Sequence, residues 1–135
     1  MLVETFLYQF LKGNSALFAL VGSAIYPERA PQKQPLPFIR FHLISESPLH
    51  SQDNNAYSLQ SYSFQISIFA ASYLKAAEIR EALKDALNGI SGQHYLGSPV
   101  VTYTASALHT NTFSQYEEDN ECFHIALDFD IWFST

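Results

Sequence analysis

The segment near the end of the chain alternates strictly between apolar and other side chains. One parity carries Phe123, Ile125, Leu127, Phe129, Ile131 and Phe133, and the other carries His124, Ala126, Asp128, Asp130 and Trp132. Successive side chains of a β-strand point to opposite faces, so this pattern predicts a strand with one buried face. A sheet with one apolar face has to bury it against another layer. The segment therefore restricts the chain to folds in which a sheet packs on a second layer.

Other segments add strands to this sheet. Phe38–Ile44 and Ser61–Ala71 alternate in the same way, and Val101–Tyr116 reads as a further strand with a bulge or bend near Leu108, where the apolar phase slips. A connector with four prolines precedes Phe38 and has room for one short strand near Ile25. The polar segment Ser45–Gln60 is predicted to be a long loop or a mobile hairpin tip, and loops of this length are usually functional or disordered.

Apolar residues at helical spacing predict three helices. The helices run from Leu2 to Gly13, from Asn14 or Ser15 to Val21, and from Ser72 to Asn88. Asn or Ser at a helix start and Gly after its end are the expected capping residues. We therefore expect an α+β fold: a single domain over residues 1–135, built as a two-layer sandwich. Its mostly antiparallel sheet has about four or five strands, with the helices packed on one face.

The composition indicates that part of the surface is covered by another chain. Charged residues make up 15% of the sequence, against roughly 25% in an average soluble domain. A sheet of four or five strands also has two edges that must be blunted or paired, and few charges are available for blunting. Contacts between copies of the chain are a natural solution, and a repeated head-to-tail contact closes into a ring.

The net charge of −6, with seven Lys and Arg in total, argues against direct nucleic-acid binding, which requires clustered cations. An acidic surface past which DNA slides is compatible with this composition. No apolar stretch approaches the roughly 20 residues that span a bilayer, so no membrane partner is expected.

Sequence motifs for catalysis or cofactor binding are missing. The five glycines lie far apart, no G-x-S-x-G is present, and the five histidines lack metal-ligand spacing. Residues distant in sequence can still assemble a site. Cys122 has no basic neighbour in sequence, so it reads as a small core or surface residue and not as a nucleophile.

Asp128, Asp130 and His124 share one face of the last predicted strand, and three interpretations are open. Two carboxylates at this spacing lie roughly 6.6 Å apart and could hold Mg²⁺ or act as an acid–base pair. They could equally belong to the solvent-exposed face of a half-buried strand. In a ring of identical subunits, Asp128 and Asp130 could line a channel that repels DNA.

Phe69 and Trp132 are large apolar residues on the otherwise polar parity of their strands. Each is covered either by loops of its own chain or by a partner, since aromatic residues are enriched in interface cores.

The run LVGSAIYPERAPQ (Leu20–Gln32), then PFIRFHLIS, then SYSFQISIFAASYLKAAEIREALKDAL resembles the phage tail terminator family, also called tail completion or head–tail joining proteins. The matching residues are Ile25, Tyr26, Pro27, Ala30, Pro31, Gln32, Gln65, Ile66, Ile68 and Ala70. They are packing and turn residues, and the resemblance extends from about Leu2 to Leu87 and more loosely over the last two strands.

The resemblance implies a hexameric ring on the head-proximal end of a tail tube. The ring stops tube polymerisation and presents a surface to the head connector, while DNA passes through without specific binding. It implies a virion protein assembled in the host cytoplasm, with no enzyme activity and no cofactor, whose Ser45–Gln60 loop reaches a neighbour or the tube. We expect the contacts with other chains to involve Arg29, Arg40, His42, His50, Phe69 and Trp132.

Two alternatives stay open at this point. One is a ferredoxin-like small-molecule-binding protein or enzyme, with aromatic residues around a closed cavity. The other is a different phage head–tail joining protein, which sequence alone separates poorly from a terminator.

Overall fold

A computed structural model of the chain describes residues 2–48, 60–96 and 101–134. The elements in chain order are α1 (Val3–Lys12), α2 (Ser15–Val21), β1 (Ile25–Pro27), β2 (Phe38–Pro48), β3 (Gln60–Ala70), α3 (Tyr73–Leu87), β4 (Gln93–Leu96), β5 (Val101–Glu117) and β6 (Cys122–Ser134).

The strands form one sheet of six, in the order β1-β2-β3-β6-β5-β4. The expected α+β class is confirmed, but the expected size of four or five strands is wrong. Four of the neighbouring pairs are antiparallel, and β1 pairs with β2 in parallel, so the sheet is mixed. The short strand near Ile25 is present as β1. Strand β4 was missed because four residues between turn-forming segments are too few to show periodicity, and β4 forms by pairing with β5.

Helices α2 and α3 begin where the capping residues predict. The Asn14 side chain accepts a hydrogen bond from the Leu17 N–H at 3.0 Å, and Ser72 Oγ accepts one from the Lys75 N–H at 3.2 Å. Each bond satisfies an N–H that lacks a partner within the first helical turn. Helix α2 ends at Gly22, whose φ of 64° is a conformation that glycine adopts without steric cost.

The predicted loop Ser45–Gln60 is wrong at its start, because β2 continues to Pro48. The alternation of β2 changes register between Leu43 and Ser45, where a bulge leaves the Ile44 side chain 52% exposed. This change of phase explains why the periodicity seemed to end at Ile44. The rest of the proposed loop, 49–59, lies outside the described residues. The bulge expected near Leu108 is present close by, between His109 and Asn111.

One face of the sheet carries the hydrophobic core. Helices α1, α2 and α3 supply Phe6, Leu17 and Leu83 among others, and each of these side chains is fully buried. They join a single cluster with the inward residues of the strands, which are Ile25, Ile39, Phe41, Phe64, Ile66, Ile68, Ala70, Tyr103, Ala105, Ala107, Ile125, Leu127, Phe129, Ile131 and Phe133. Each large apolar side chain buried in this way contributes about 1.5–3 kcal/mol. The two-layer arrangement with helices on one face therefore follows from the inward parity of the central strands.

The opposite face of the sheet, which we call the open face, faces away from the helices. It has rows of residues that are register partners across β2, β3, β6 and β5, such as Arg40, Ser67, Ala126 and Phe113.

Among the described segments, no helix is long and apolar enough to span a membrane.

Candidate functional site

The two acidic residues of β6 lie in the middle of the open face. Asp130 Oδ1 accepts a hydrogen bond from Ser63 Oγ at 3.0 Å, and Asp128 Oδ1 accepts one from Gln65 Nε2 at 3.4 Å. Both carboxylates are half-buried, and each is opposite its hydrogen-bond donor in the β3–β6 register. Neutral donors hold these two side chains in place without cancelling their charge, so the centre of the open face is acidic.

An aromatic stack occupies one end of the open face. The Phe69 ring lies between Phe38 and His124, with ring centroids 4.8 and 4.4 Å away, and the Arg40 guanidinium lies 5.3 Å from the Phe69 ring centroid. The three ring-bearing residues are register partners on β2, β3 and β6. Phe69 is only 8% exposed, so its own chain already covers most of it.

His124 sits at the inner end of this stack with Glu117 beside it. Its Nδ1 lies 3.2 Å from Glu117 Oε1. Burial lowers the pKa of His124, the Glu117 carboxylate opposes this shift, and the Arg40 guanidinium adds to it. The neutral imidazole is therefore favoured in the folded chain, consistent with its stacking on Phe69.

A basic cavity opens beside the stack, between the proline-rich connector and the ends of β2, β3 and β6. It has a volume of about 450 Å³, and its lining includes Arg29, Lys33, Arg40, Phe69 and Glu117. Arg29 and Lys33 are exposed. Within the described parts of the chain, none of the three cations forms a salt bridge. Three of the seven Lys and Arg of a net acidic protein are thus gathered at one concave site.

The other expected contact residues lie apart from this cavity. His42 is exposed on β2, where it pairs with Glu28 and lowers the pKa of that carboxyl group by hydrogen bonding. Trp132 is half-buried on the open face, opposite Ser61 and Ser106. His50 lies outside the described residues. The structure thus brings Arg29, Arg40 and Phe69 together and leaves His42 and Trp132 elsewhere on the open face.

The structure does not bring together the residues of the metal or acid–base interpretation, which are Asp128, Asp130 and His124. In the described segments, no group of three or more His, Cys, Asp or Glu is placed to hold a metal ion. His124 belongs to the aromatic stack, at four residues' distance along β6 from Asp128. Cys122 is buried, and burial together with the neighbouring Glu117 carboxylate raises the pKa of its thiol, which disfavours the nucleophilic thiolate.

The family model described as tail completion protein gp17 matches residues 5–134. The chain belongs to this family. As a tail completion family member it is a structural protein of phage-type tails, in agreement with the resemblance of its proline-rich connector and its β3–α3 segment. The family match covers nearly the whole chain, including the last two strands, where the resemblance in the sequence was looser.

A solved structure titled "Virion of native gene transfer agent (GTA) particle" contains a chain of the same fold as this tail completion protein. The TM-score is 0.68 and the sequence identity 21%, with 95% of this chain and 91% of that chain covered. No curated protein matches the sequence at a significant level.

Sequence reasoning missed several residues of the tail completion protein's candidate surface. Lys33 completes the basic cavity, and a signal for it existed, since Arg29, Lys33 and Arg40 are close together in a chain with few cations. Glu117 is the other residue, and the sequence analysis does not single it out. Its position against His124 depends on the β5–β6 register and has no local sequence signal.

The tail completion protein should lose stability on mild acidification because of His124. Its pKa is lower in the folded chain than the ordinary value of about 6.5, so the unfolded chain binds the proton more readily. The free energy of unfolding should therefore fall as pH decreases below about 6.5, and the fall should be smaller for His124→Gln. Urea denaturation of both proteins between neutral and mildly acidic pH measures the difference. Equal pH dependence in the two proteins would contradict the assignment.

Proposed function

We propose that this tail completion protein caps the head-proximal end of a tail tube as a closed ring of six copies, the number that the family resemblance implies. The ring ends tube polymerisation and joins the tail to the head connector. It acts in the virion tail after assembly in the host cytoplasm, as a structural component and not as a catalyst. The family match over residues 5–134 carries this proposal, and the fold shared with a chain of a virion particle supports it.

The surface chemistry supports an assembly role. The chain has a low content of charged residues, and large apolar side chains such as Phe18, Leu74, Leu108 and Phe113 are between 43% and 69% exposed. A subunit that spends its functional life in contact with other chains can carry such a surface. A free enzyme would be expected to gather polar groups inside a closed cavity.

Particle assembly with and without the protein tests the proposed function. Electron microscopy of negatively stained lysates should show overlong tubes or tails without heads when the protein is absent, because nothing then ends polymerisation or presents the joining surface. Supplying the wild-type chain from a second gene should restore normal particles. Tails of normal length that carry heads in the absence of the protein would refute the proposal, and normal-length tails without heads would favour a different joining role.

We further propose that Asp128 and Asp130 face the channel through which DNA passes. The open face is the broad sheet surface left free by the helices, and both carboxylates lie near its centre. Repeated around a ring, they would form bands of negative charge that keep the DNA backbone from adhering to the wall.

Asp128→Asn with Asp130→Asn should leave assembly intact but change DNA ejection. The amides keep the size of the side chains and remove two charges per subunit, so ejection should become slower at low salt, and the difference from the wild type should shrink as added salt screens the repulsion. Ejection kinetics of purified particles measure the effect, with Glu78→Gln and Asp85→Asn on the outside of α3 as the charge-matched control. Identical ejection at every salt concentration would remove the channel assignment.

We propose that the basic cavity receives carboxylate groups of a neighbouring virion protein, so that Arg29 and Arg40 act with Lys33. Its cations lack salt-bridge partners among the described residues and surround a concave space of about 450 Å³. We also propose that His42, His50, Phe69 and Trp132 contact partner chains. This proposal rests on the family resemblance and, for Phe69 and Trp132, on the enrichment of aromatic residues in interface cores.

Reversing charge in the cavity should weaken joining. Arg29→Glu with Lys33→Glu changes two exposed cations and should lower the fraction of tails joined to heads, because carboxylates would then face carboxylates. The control, Lys75→Glu with Lys84→Glu on α3, changes the net charge equally. Counting joined particles by electron microscopy measures the effect. Equal joining in both variants would contradict the proposal.

A further inference from the structure

The two edges of the sheet differ in shape. On one side β1 covers only Ile39–Phe41 of the much longer strand β2. On the other side, β4 pairs with β5 only up to Thr104. The segment before β4 extends this cover, because Ala107 N–H donates to the Ile90 carbonyl at 3.2 Å and His109 N–H donates to the Asn88 side chain at 2.9 Å. Beyond the bulge, the outer edge of β5 has no backbone partner within residues 2–48, 60–96 and 101–134.

The backbone direction along this free edge follows from the register. Ala107 and His109 direct their N–H groups away from β6, and they lie opposite Ile131 and Phe129. Ile131 and Phe129 belong to one alternate series of β6 residues. Past the bulge, the residues of β5 that lie opposite this series are Thr112, Ser114 and Tyr116. Directions alternate along a strand, so the N–H and C=O groups of Thr112, Ser114 and Tyr116 also face outward. Among the described segments, the free edge therefore offers a ladder without a pairing strand, which native proteins rarely leave open.

The outer edge of β1 offers acceptors. The Ala24 carbonyl accepts the Ile39 N–H at 2.9 Å, and the Glu28 N–H donates to the Phe41 carbonyl at 2.8 Å, so Ala24 and Glu28 face β2. The alternate residues Ile25 and Pro27 then direct their carbonyls outward, and the Pro27 carbonyl also accepts the Arg29 N–H of its own chain at 2.6 Å. Proline is tolerated at this edge because it accepts without donating. A cavity of about 290 Å³ adjoins this edge, lined by residues of α1 and by Ile25, Tyr26 and Pro27.

The two edges lie at the same height in the sheet. Following register partners across the strands, Tyr26 aligns with Arg40, Ser67, Ala126 and finally Phe113. In the same way Ile25 aligns with Ser114, and Pro27 aligns with Thr112. Copies related by rotation about an axis along the strands would therefore bring β1 of one copy level with the free segment of β5 in the next.

We propose that the subunits of this protein join edge to edge, with Thr112–Ser114 of β5 pairing antiparallel with Ile25–Pro27 of the next copy. This proposal rests on the ring of the proposed function and specifies which strands form the contact between neighbouring subunits. Strand β1 runs opposite to β5, as antiparallel pairing requires. The Ser114 N–H then donates to the Ile25 carbonyl of the neighbour. The Thr112 N–H donates to the second lone pair of the Pro27 carbonyl, whose first lone pair accepts the Arg29 N–H. The contact uses two different surfaces, which is the requirement for a head-to-tail ring.

The side chains fit this register. Tyr26 and Phe113 are both on the open face, since they align with Arg40 and Ala126, and Phe113 is 43% exposed. They become a directly opposed pair at a position without mutual backbone hydrogen bonds, where side chains approach most closely. Aromatic pairs at such positions stabilise sheets. Phe113 is a large apolar side chain beside a free strand edge, and the pairing would shield it from solvent.

Disulfide crosslinking tests the proposed register. Tyr26→Cys with Phe113→Cys should give a ladder of covalent oligomers under mild oxidation, in concentrated purified protein and in tails, because opposed residues lie within disulfide reach. Tyr26→Cys with Leu108→Cys is the matched control. Leu108 is an exposed residue on the same strand and face, but it lies roughly 13 Å further along the sheet and should not crosslink. Each single variant retains the buried Cys122 and serves as the baseline.

A charge at Phe113 provides a second test. Phe113→Lys should abolish the oligomers seen by crosslinking or sedimentation, while Leu108→Lys, at a height where β5 is covered, should leave them unchanged. In dilute protein, below the concentration at which the wild type forms oligomers, both variants should unfold at the same urea concentration as the wild type, since both side chains are exposed. Efficient dimers from Phe113→Cys alone, equal ladders from both double variants, or no ladder in protein or tails would overturn the edge contact. Failure of the proposed function would instead appear as normal tails without the protein, whatever the crosslinking result.

Discussion

The pairing of β6 with both of its neighbours is the constraint on which the rest of the structure depends. Its alternation places six apolar side chains on the inner face, and its register with β3 and β5 aligns the residues of all the central strands. The helices can then cover only one face. The alternate residues of the strands that point to the open face form its other features. These are the acidic pair, the polar donors that hold Asp128 and Asp130, and the aromatic stack.

The open face has a graded character that suits a surface shared between several chains. Its centre is acidic, one end is aromatic and adjoins a basic cavity, and its border at β5 carries an exposed phenylalanine beside a free strand edge. Each zone offers a different chemistry. Under the proposed function the subunit contacts two neighbours, a tube and a connector and lets DNA pass, and distinct zones on a single small sheet would serve these contacts.

The edges show how the molecule limits its own association. Strand β1 is three residues long and ends at Pro27, which removes a donor, and β4 is similarly short. Such features prevent indefinite strand addition. The free part of β5 is the exception, and under the proposed edge contact it accepts a strand only in the register that Tyr26 and Phe113 favour. Pairing would then be restricted to one partner geometry, which is compatible with a closed ring.

Local periodicity and capping residues such as Asn14 and Ser72 were enough to predict the helices, the long strands and their inward faces. The family resemblance was also readable in local turn and packing residues. The sixth strand, the extension of β2 past its bulge, the contact of Glu117 with His124 and the common height of Tyr26 and Phe113 became visible in the folded chain alone. These depend on registers between strands distant in the chain, and a single strand's sequence has no information about its partner's alignment beyond the choice of face.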